Sequence, residues 1–258
     1  MNEGNPIDSK ALVDVTKTAK EVLPQTVIET DSAISTLVGW FNNVVLYPVK
    51  KANMTYRYKL ECFEEDLRKK VDLIPDDKIC SPNLMIAGPT LESLKYTYDE
   101  QELREMYVNL LAASMNTDKI AQVHPSYVDI IKQMTPDEAK LLKKISTQPV
   151  FPVIHVKQYM EDEKSYNDIV INYCNLGRVC CDFPEKIYSY INNLDRLGLL
   201  NISYSSYCMH DGAYDELESQ FDDLRVEGEK LGCKIKISRG LMELSALGHD
   251  FAEICIQG

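Results

Sequence analysis

The sequence predicts an α+β protein, mainly α-helical, in which an N-terminal helical domain is followed by a winged-helix-like domain carrying an acidic helical insertion. Three observations predict it. Apolar residues at helical spacing dominate up to Met134, β-favouring runs appear only beyond Thr135, and those later runs follow the order helix, strand, helix, strand, strand. The 258 residues, 45% apolar and 26% charged, are long enough for a sizeable core and ordinary for a globular chain, which excludes disordered, collagen-like and polytopic membrane classes. The expected organisation is a polar arm over 1–30, a helical domain over 31–134 and the winged-helix-like domain over 135–258.

Within the arm, a weakly apolar helical stretch from Ala11 to Leu23 is stopped by Pro24. From Ser32 to Val49 no residue is charged, and Ile34, Leu37, Val38, Phe41, Val44 and Val45 recur at helical spacing, with Trp40 and Leu46 widening the stripe before Pro48 ends it. This segment reads first as a core helix. Its 18 uncharged residues reach the lower limit for crossing a bilayer, roughly 17–25, but Ser32, Ser35, Thr36, Asn42 and Asn43 suit lipid tails poorly. An interfacial helix presenting Trp40 and Phe41 is the second reading.

An amphipathic helix is expected from about Tyr58 to Val71 on Leu60, Phe63, Leu67 and Val71. The next, over Asn83 to Tyr96, should break or restart at Gly88-Pro89, because proline lacks the amide hydrogen and its ring meets the preceding turn. Asp99 and Glu102 resemble a capping box for the clearest helix of the chain, whose stripe is Leu103, Met106, Tyr107, Leu110, Leu111 and Met115. A short helix over Pro125 to Gln133 follows. Thr135, Pro136 and Glu138 then form a second capping-box start for Leu141, Leu142 and Ile145.

Strands are expected over Val150 to Val156, Asp168 to Tyr173, Leu199 to Tyr204 and Lys234 to Ser238. Between them, Ile187, Ile191, Leu194 and Leu197 mark a helix from Pro184 that stops at Gly198. The insertion from Asp211 to Glu229 holds eight carboxylates against Arg225 alone, yet Leu217, Phe221 and Leu224 give it a packing side. Asp215, Glu218, Asp222 and Asp223 on its other side are a solvated face or a surface for a basic partner.

The run Leu103-Arg104-Glu105-Met106-Tyr107-Val108-Asn109-Leu110-Leu111-Ala112-Ala113-Ser114-Met115-Asn116, continued by Val123-His124-Pro125-Ser126-Tyr127-Val128-Asp129-Ile130-Ile131-Lys132-Gln133-Met134-Thr135-Pro136, resembles the signature of the bacterial Abi-alpha family, named for abortive infection. Ala87-Gly88-Pro89 upstream and Leu197-Gly198-Leu199 downstream fit the same pattern, whose clear part covers 83–145. The resemblance implies a part in bacterial defence against phage and brings no catalytic residues with it. Most apolar positions of the signature need no more than a core helix. Its polar members Arg104, Asn109 and His124 are the positions without that explanation.

Residue chemistry excludes more than it assigns. The chain has none of the short motifs for a phosphate-cradling loop, a nucleophile elbow or a helical zinc site, and no cofactor is expected. Eight cysteines include no C-x-x-C pair, so metal spacing is absent, and a site from Cys174, Cys180 and Cys208 would have to be assembled by folding. Without a secretory signal at Met1 to Lys20 these thiols fit a reducing cytoplasm, with peripheral attachment to the inner membrane through 32–49 as the variant reading. The formal charge of −12, and −7 for residues 135–258 from 13 basic and 20 acidic side chains, disfavours nucleic acid. The helix from Pro184 to Leu197 sums to zero, unlike a helix that reads phosphate-flanked grooves. A non-enzymatic defence protein working through a protein partner, with self-association left open, therefore ranks before a winged-helix DNA regulator and before a hydrolase or nuclease effector.

Overall fold

The computed structural model describes residues 30–40, 54–160 and 165–258. The protein is α+β, with helices in the majority and one four-stranded antiparallel sheet among the described residues. The weakly apolar stretch Ala11 to Leu23 and the second half of the uncharged segment, including Phe41, lie outside them.

Helix α1 (Thr30–Trp40) packs on helix α2 (Met54–Val71), and Ile34, Leu37, Phe63, Leu67 and Val71 are all buried in one cluster, so the first half of the uncharged stripe is core. Helix α3 (Leu84–Thr97) runs without a break through Gly88-Pro89, against the sequence expectation. Asn83 caps it by accepting from the Met85 N–H at 2.9 Å, and the N–H that Pro89 lacks would have served the Met85 carbonyl, in the exposed first turn. One hydrogen bond is lost there, and burial of Ile86, Ala87, Leu91 and Leu94 outweighs it.

Helix α4 (Gln101–Ser114) starts one residue later than expected, with Glu100 as N-cap and no side-chain cap, so the Asp99–Glu102 capping box does not form. Its stripe is buried as predicted, from Leu103 and Met106 through Leu110 and Leu111 to Met115. Helix α4 is also buried well beyond that stripe, because α2, α3, α5 (Ser126–Lys132), α6 (Pro136–Ile145) and the C-terminal π turn (Glu253–Gln257) surround it. The capping box of α6 forms as the sequence requires: Thr135 Oγ1 accepts from the Glu138 N–H at 3.3 Å and Glu138 Oε2 from the Thr135 N–H at 2.6 Å.

Strands β1 (Phe151–Tyr159), β2 (Tyr166–Tyr173), β3 (Leu200–Ser203) and β4 (Lys234–Leu244) form the sheet in the order β2-β1-β4-β3. The longest ladder, from Phe151 opposite Met242 to Tyr159 opposite Lys234, carries β4 six residues past the expected Ser238, because every residue to Leu244 finds a partner in β1 or β3. Between β2 and β3 lie the short α7 (Leu176–Cys180), a 3₁₀ turn (Pro184–Lys186) and α8 (Ile187–Arg196). Gly198 adopts φ 76°, the left-handed stop the sequence places there. Helix α11 (Ala246–Ala252) follows β4, and its Gly248 lies so close to Leu199 that a Cβ would fall 2.1 Å from the Leu199 carbonyl oxygen.

Strand β1 is buried on both faces, whereas β2 at the sheet edge is mostly exposed. Phe151, Val153, Leu200, Met242 and Leu244 join the main cluster, which is continuous from Ile34 to Cys255. Ile154 and Val156 face the other way, onto Tyr214 and Leu217 of the acidic insertion. That insertion is two short helices, α9 (Asp215–Ser219) and α10 (Asp222–Lys230), rather than one. Tyr214 donates to the Gly240 carbonyl at 2.7 Å and Phe221 stacks edge-on against Tyr173 at 5.6 Å, which fix its docking.

Candidate cleft between α2, α4 and α6

Arg104 and Asn109 stand five residues apart on α4 and reach one cleft, of about 380 Å³. Its second wall is α2, through Asp66, Lys69 and Lys70, and its third is α6, through Lys143. Val108 and Ile256 supply an apolar floor.

Arg104 is held in place. Its Nη1 donates to the Tyr98 carbonyl at 2.8 Å, its Nε lies 3.4 Å from Asp66 Oδ2, and the guanidinium sits over the Tyr98 ring at 5.0 Å. Burial pushes the Tyr98 phenol up, so the hydroxyl stays neutral beside it. Asn109 is only 4% exposed, and its Nδ2 donates to the Cys255 carbonyl at 2.9 Å. That bond ties α4 to the C-terminal π turn, where Ile254 and Cys255 are buried. The acidic groups are occupied: Glu105 accepts from Gln101 Nε2 at 2.9 Å and faces Lys143 at 3.8 Å. Lys69 pairs with Glu65 at 2.8 Å on the exposed side. Lys70 is half-buried and makes no ion pair among the described residues. Four cations against two carboxylates thus line this cleft, in a chain whose overall charge is −12.

His124 lies elsewhere. Its Nδ1 accepts from the Ser126 N–H at 3.1 Å and sits 2.7 Å from Ser126 Oγ, so the ring caps the start of α5, and its nearest aromatic neighbour is Tyr127. The structure therefore unites two of the three polar signature residues and gives the third a capping role. Trp40 ends α1, and Phe41 lies outside the described residues.

Of the acidic set, Glu218 is turned inward. Its carboxylate takes the Arg239 Nε at 2.5 Å and lies 3.7 Å from Arg225, clamping α9 to β4. Asp222 pairs with Arg225 at 2.9 Å while remaining exposed, and Asp215 and Asp223 are also exposed. Cys208 packs with the insertion whereas Cys174 belongs to the main core, and no group of three metal-ligating side chains occurs among the described residues.

Sequence reasoning missed a polar cluster on the sheet. His155 Nε2 lies 2.6 Å from Asp168 Oδ1, and the His155 ring is 5.8 Å from Tyr204. Tyr204 in turn donates to Asn172 Oδ1 at 2.8 Å, and Asn172 Nδ2 donates to Asn192 Oδ1 on α8 at 2.7 Å. Asn172 has φ 56°, a conformation asparagine tolerates, and irregularities in the β1–β2 register accompany it. Hairpin spacing alone does not reveal these neighbours, because the register shifts between Ile154 and Lys157 change which residues face each other. Among the described residues the side-chain hydrogen-bond partner of His155 is Asp168.

No described helix is long and apolar enough to cross a membrane. Among curated proteins no sequence matches. Among solved structures, an uncharacterized protein from the hydrocarbon-degrading marine bacterium Alcanivorax borkumensis SK2 is similar at 24% identity over 52% of this chain and 94% of that chain, with a TM-score of 0.34, too slight a likeness to bear on fold or function. The sequence model described as Abortive infection alpha matches residues 55–255, which include α2, α4, α6 and nearly all of the cleft between them. The chain belongs to the abortive infection alpha family.

Proposed function

We propose that the protein serves abortive infection as a non-enzymatic component that works through protein contacts. Family membership suggests the abortive-infection role. The observation that carries the contact reading is the acidic insertion, which is docked by Tyr214, Leu217 and Phe221 while Asp215, Asp222 and Asp223 remain in solvent. Exposed carboxylates on a docked surface of this kind accelerate encounter with a basic partner, an effect that weakens as salt rises.

The order β1-β4-β3 behind α8 supports a winged-helix-like reading of the second half, with the insertion replacing the wing between β3 and β4. Peripheral membrane contact belongs to the same proposal only through Trp40, Phe41 and the residues after them, since Ile34 and Leu37 are already spent on the core.

The test is the triple variant Asp215→Asn, Asp222→Asn, Asp223→Asn, with Glu218 left alone because it clamps the insertion. Intact folding by circular dichroism with lost protection in a phage plaque assay is the expected result. Intact folding with unchanged protection overturns the partner surface.

A further inference from the structure

We propose that the cleft between α2, α4 and α6 binds a small organic phosphate, a phosphate monoester of about mononucleotide size. This goes beyond the defence reading and does not depend on it, because binding is measured on the purified protein.

The charge pattern sets the ligand's sign. Lys70 is half-buried and has no ion pair among the described residues, while Lys143 faces Glu105 only at 3.8 Å and Glu105 is already engaged by Gln101. Both ammonium groups therefore have hydrogen-bonding capacity left for an anion. Arg104 adds a third positive group that is already oriented by the Tyr98 carbonyl and Asp66, so little ordering cost remains. Compact lysine ammoniums hold phosphate oxygens as point charges.

The cleft's shape sets the ligand's size. A volume of about 380 Å³ exceeds what inorganic phosphate fills and lies in the range of small-molecule sites, roughly 300–1,000 Å³. Val108 and Ile256 offer apolar surface for the non-phosphate part of the ligand. Asn109, 4% exposed at the cleft wall, is held by its Nδ2 bond to the Cys255 carbonyl, and Gly258 closes against its amide. The rest of the acidic surface repels anions, which makes this cleft distinguishable from non-specific binding.

Calorimetric titration of the full chain with adenosine 5′-monophosphate, ribose 5-phosphate, inorganic phosphate and citrate tests the assignment. The expected result is saturable binding of the two phosphate monoesters, weaker binding of inorganic phosphate, and a loss of about tenfold or more in affinity for Lys70→Gln and for Lys143→Gln. Lys70→Arg keeps the charge and should retain most of the binding, which separates a ligand contact from a general effect on the fold. Unchanged thermal melts of these surface variants verify folding. Absence of phosphate-monoester binding at millimolar concentration, binding of citrate alone, or binding indifferent to both glutamine variants overturns the proposal.

Discussion

The Tyr190 hydroxyl of α8 donates to Asp137 Oδ2 of α6 at 3.1 Å, across 53 residues of sequence. Asp137, 4% exposed, also accepts the backbone N–H groups of Asp182 and Phe183, each at 2.9 Å, and faces Lys140 at 3.6 Å. One carboxylate in the first turn of α6 thereby fixes the loop that leads into α8, where a helix N-terminus also favours negative charge.

Replacing Asp137 by Asn should destabilise the protein by about 1–3 kcal/mol, because an amide oxygen cannot satisfy all these donors and its NH₂ faces others. Tyr190→Phe should cost about 1 kcal/mol. Urea denaturation at pH 7 measures both, and an Asp137→Asn midpoint equal to wild type refutes the role given to this carboxylate.

Burial opposes the charge on Asp137, yet the two backbone donors, Tyr190 and Lys140 outweigh it and hold its carboxyl below the ordinary 3.8. A depressed folded-state value contributes stability that is present above the unfolded value and lost as pH falls through the folded one. Acid titration of stability should therefore fall below about pH 4 in the wild type, and Asp137→Asn should reduce the steepness of that fall.

Leu110 is fully buried at the centre of α4. Leu110→Ala should lose about 2–5 kcal/mol through lost burial and the cavity left behind. A loss under 0.5 kcal/mol by denaturant titration contradicts the central position of this helix.

Burial pushes the Cys174 thiol up to about 12 and that of Cys255 well above its ordinary range. Thiolate, not thiol, is the reacting species, so these two should alkylate after the half-buried Cys62, Cys208 and Cys233. Timed iodoacetamide labelling with peptide mass spectrometry gives the order, and early labelling of Cys255 contradicts the docking of the C-terminal turn.

Duplex DNA should bind weakly and without sequence preference at physiological salt. Helix α8 is electrically balanced, and Arg196 already donates to Gln133 Oε1 and Asn193 Oδ1, at 3.1 Å and 2.6 Å. Few cations are left to neutralise phosphates. A specific complex tighter than about 10⁻⁸ M in a fluorescence anisotropy titration contradicts this.

Patterns confined to one segment were legible in the sequence by itself: the buried stripe of α4, the Thr135–Glu138 capping box, the Gly198 stop and the positions of four strands. Each follows from the period of a helix or strand, or from the hydrogen-bonding reach of a side chain three residues away. The tertiary structure alone decided what depends on distant neighbours. Burial of Ile86 to Leu94 carries α3 through Pro89, and the sheet bulge sets His155 beside Asp168. Arg239 draws Glu218 out of the acidic face, and α2, α4 and α6 bring Lys70, Arg104 and Lys143 to one cleft. Periodicity says which side of an element is apolar, but not which element will cover it or which charges meet there, because those energies arise only once separate segments are packed together.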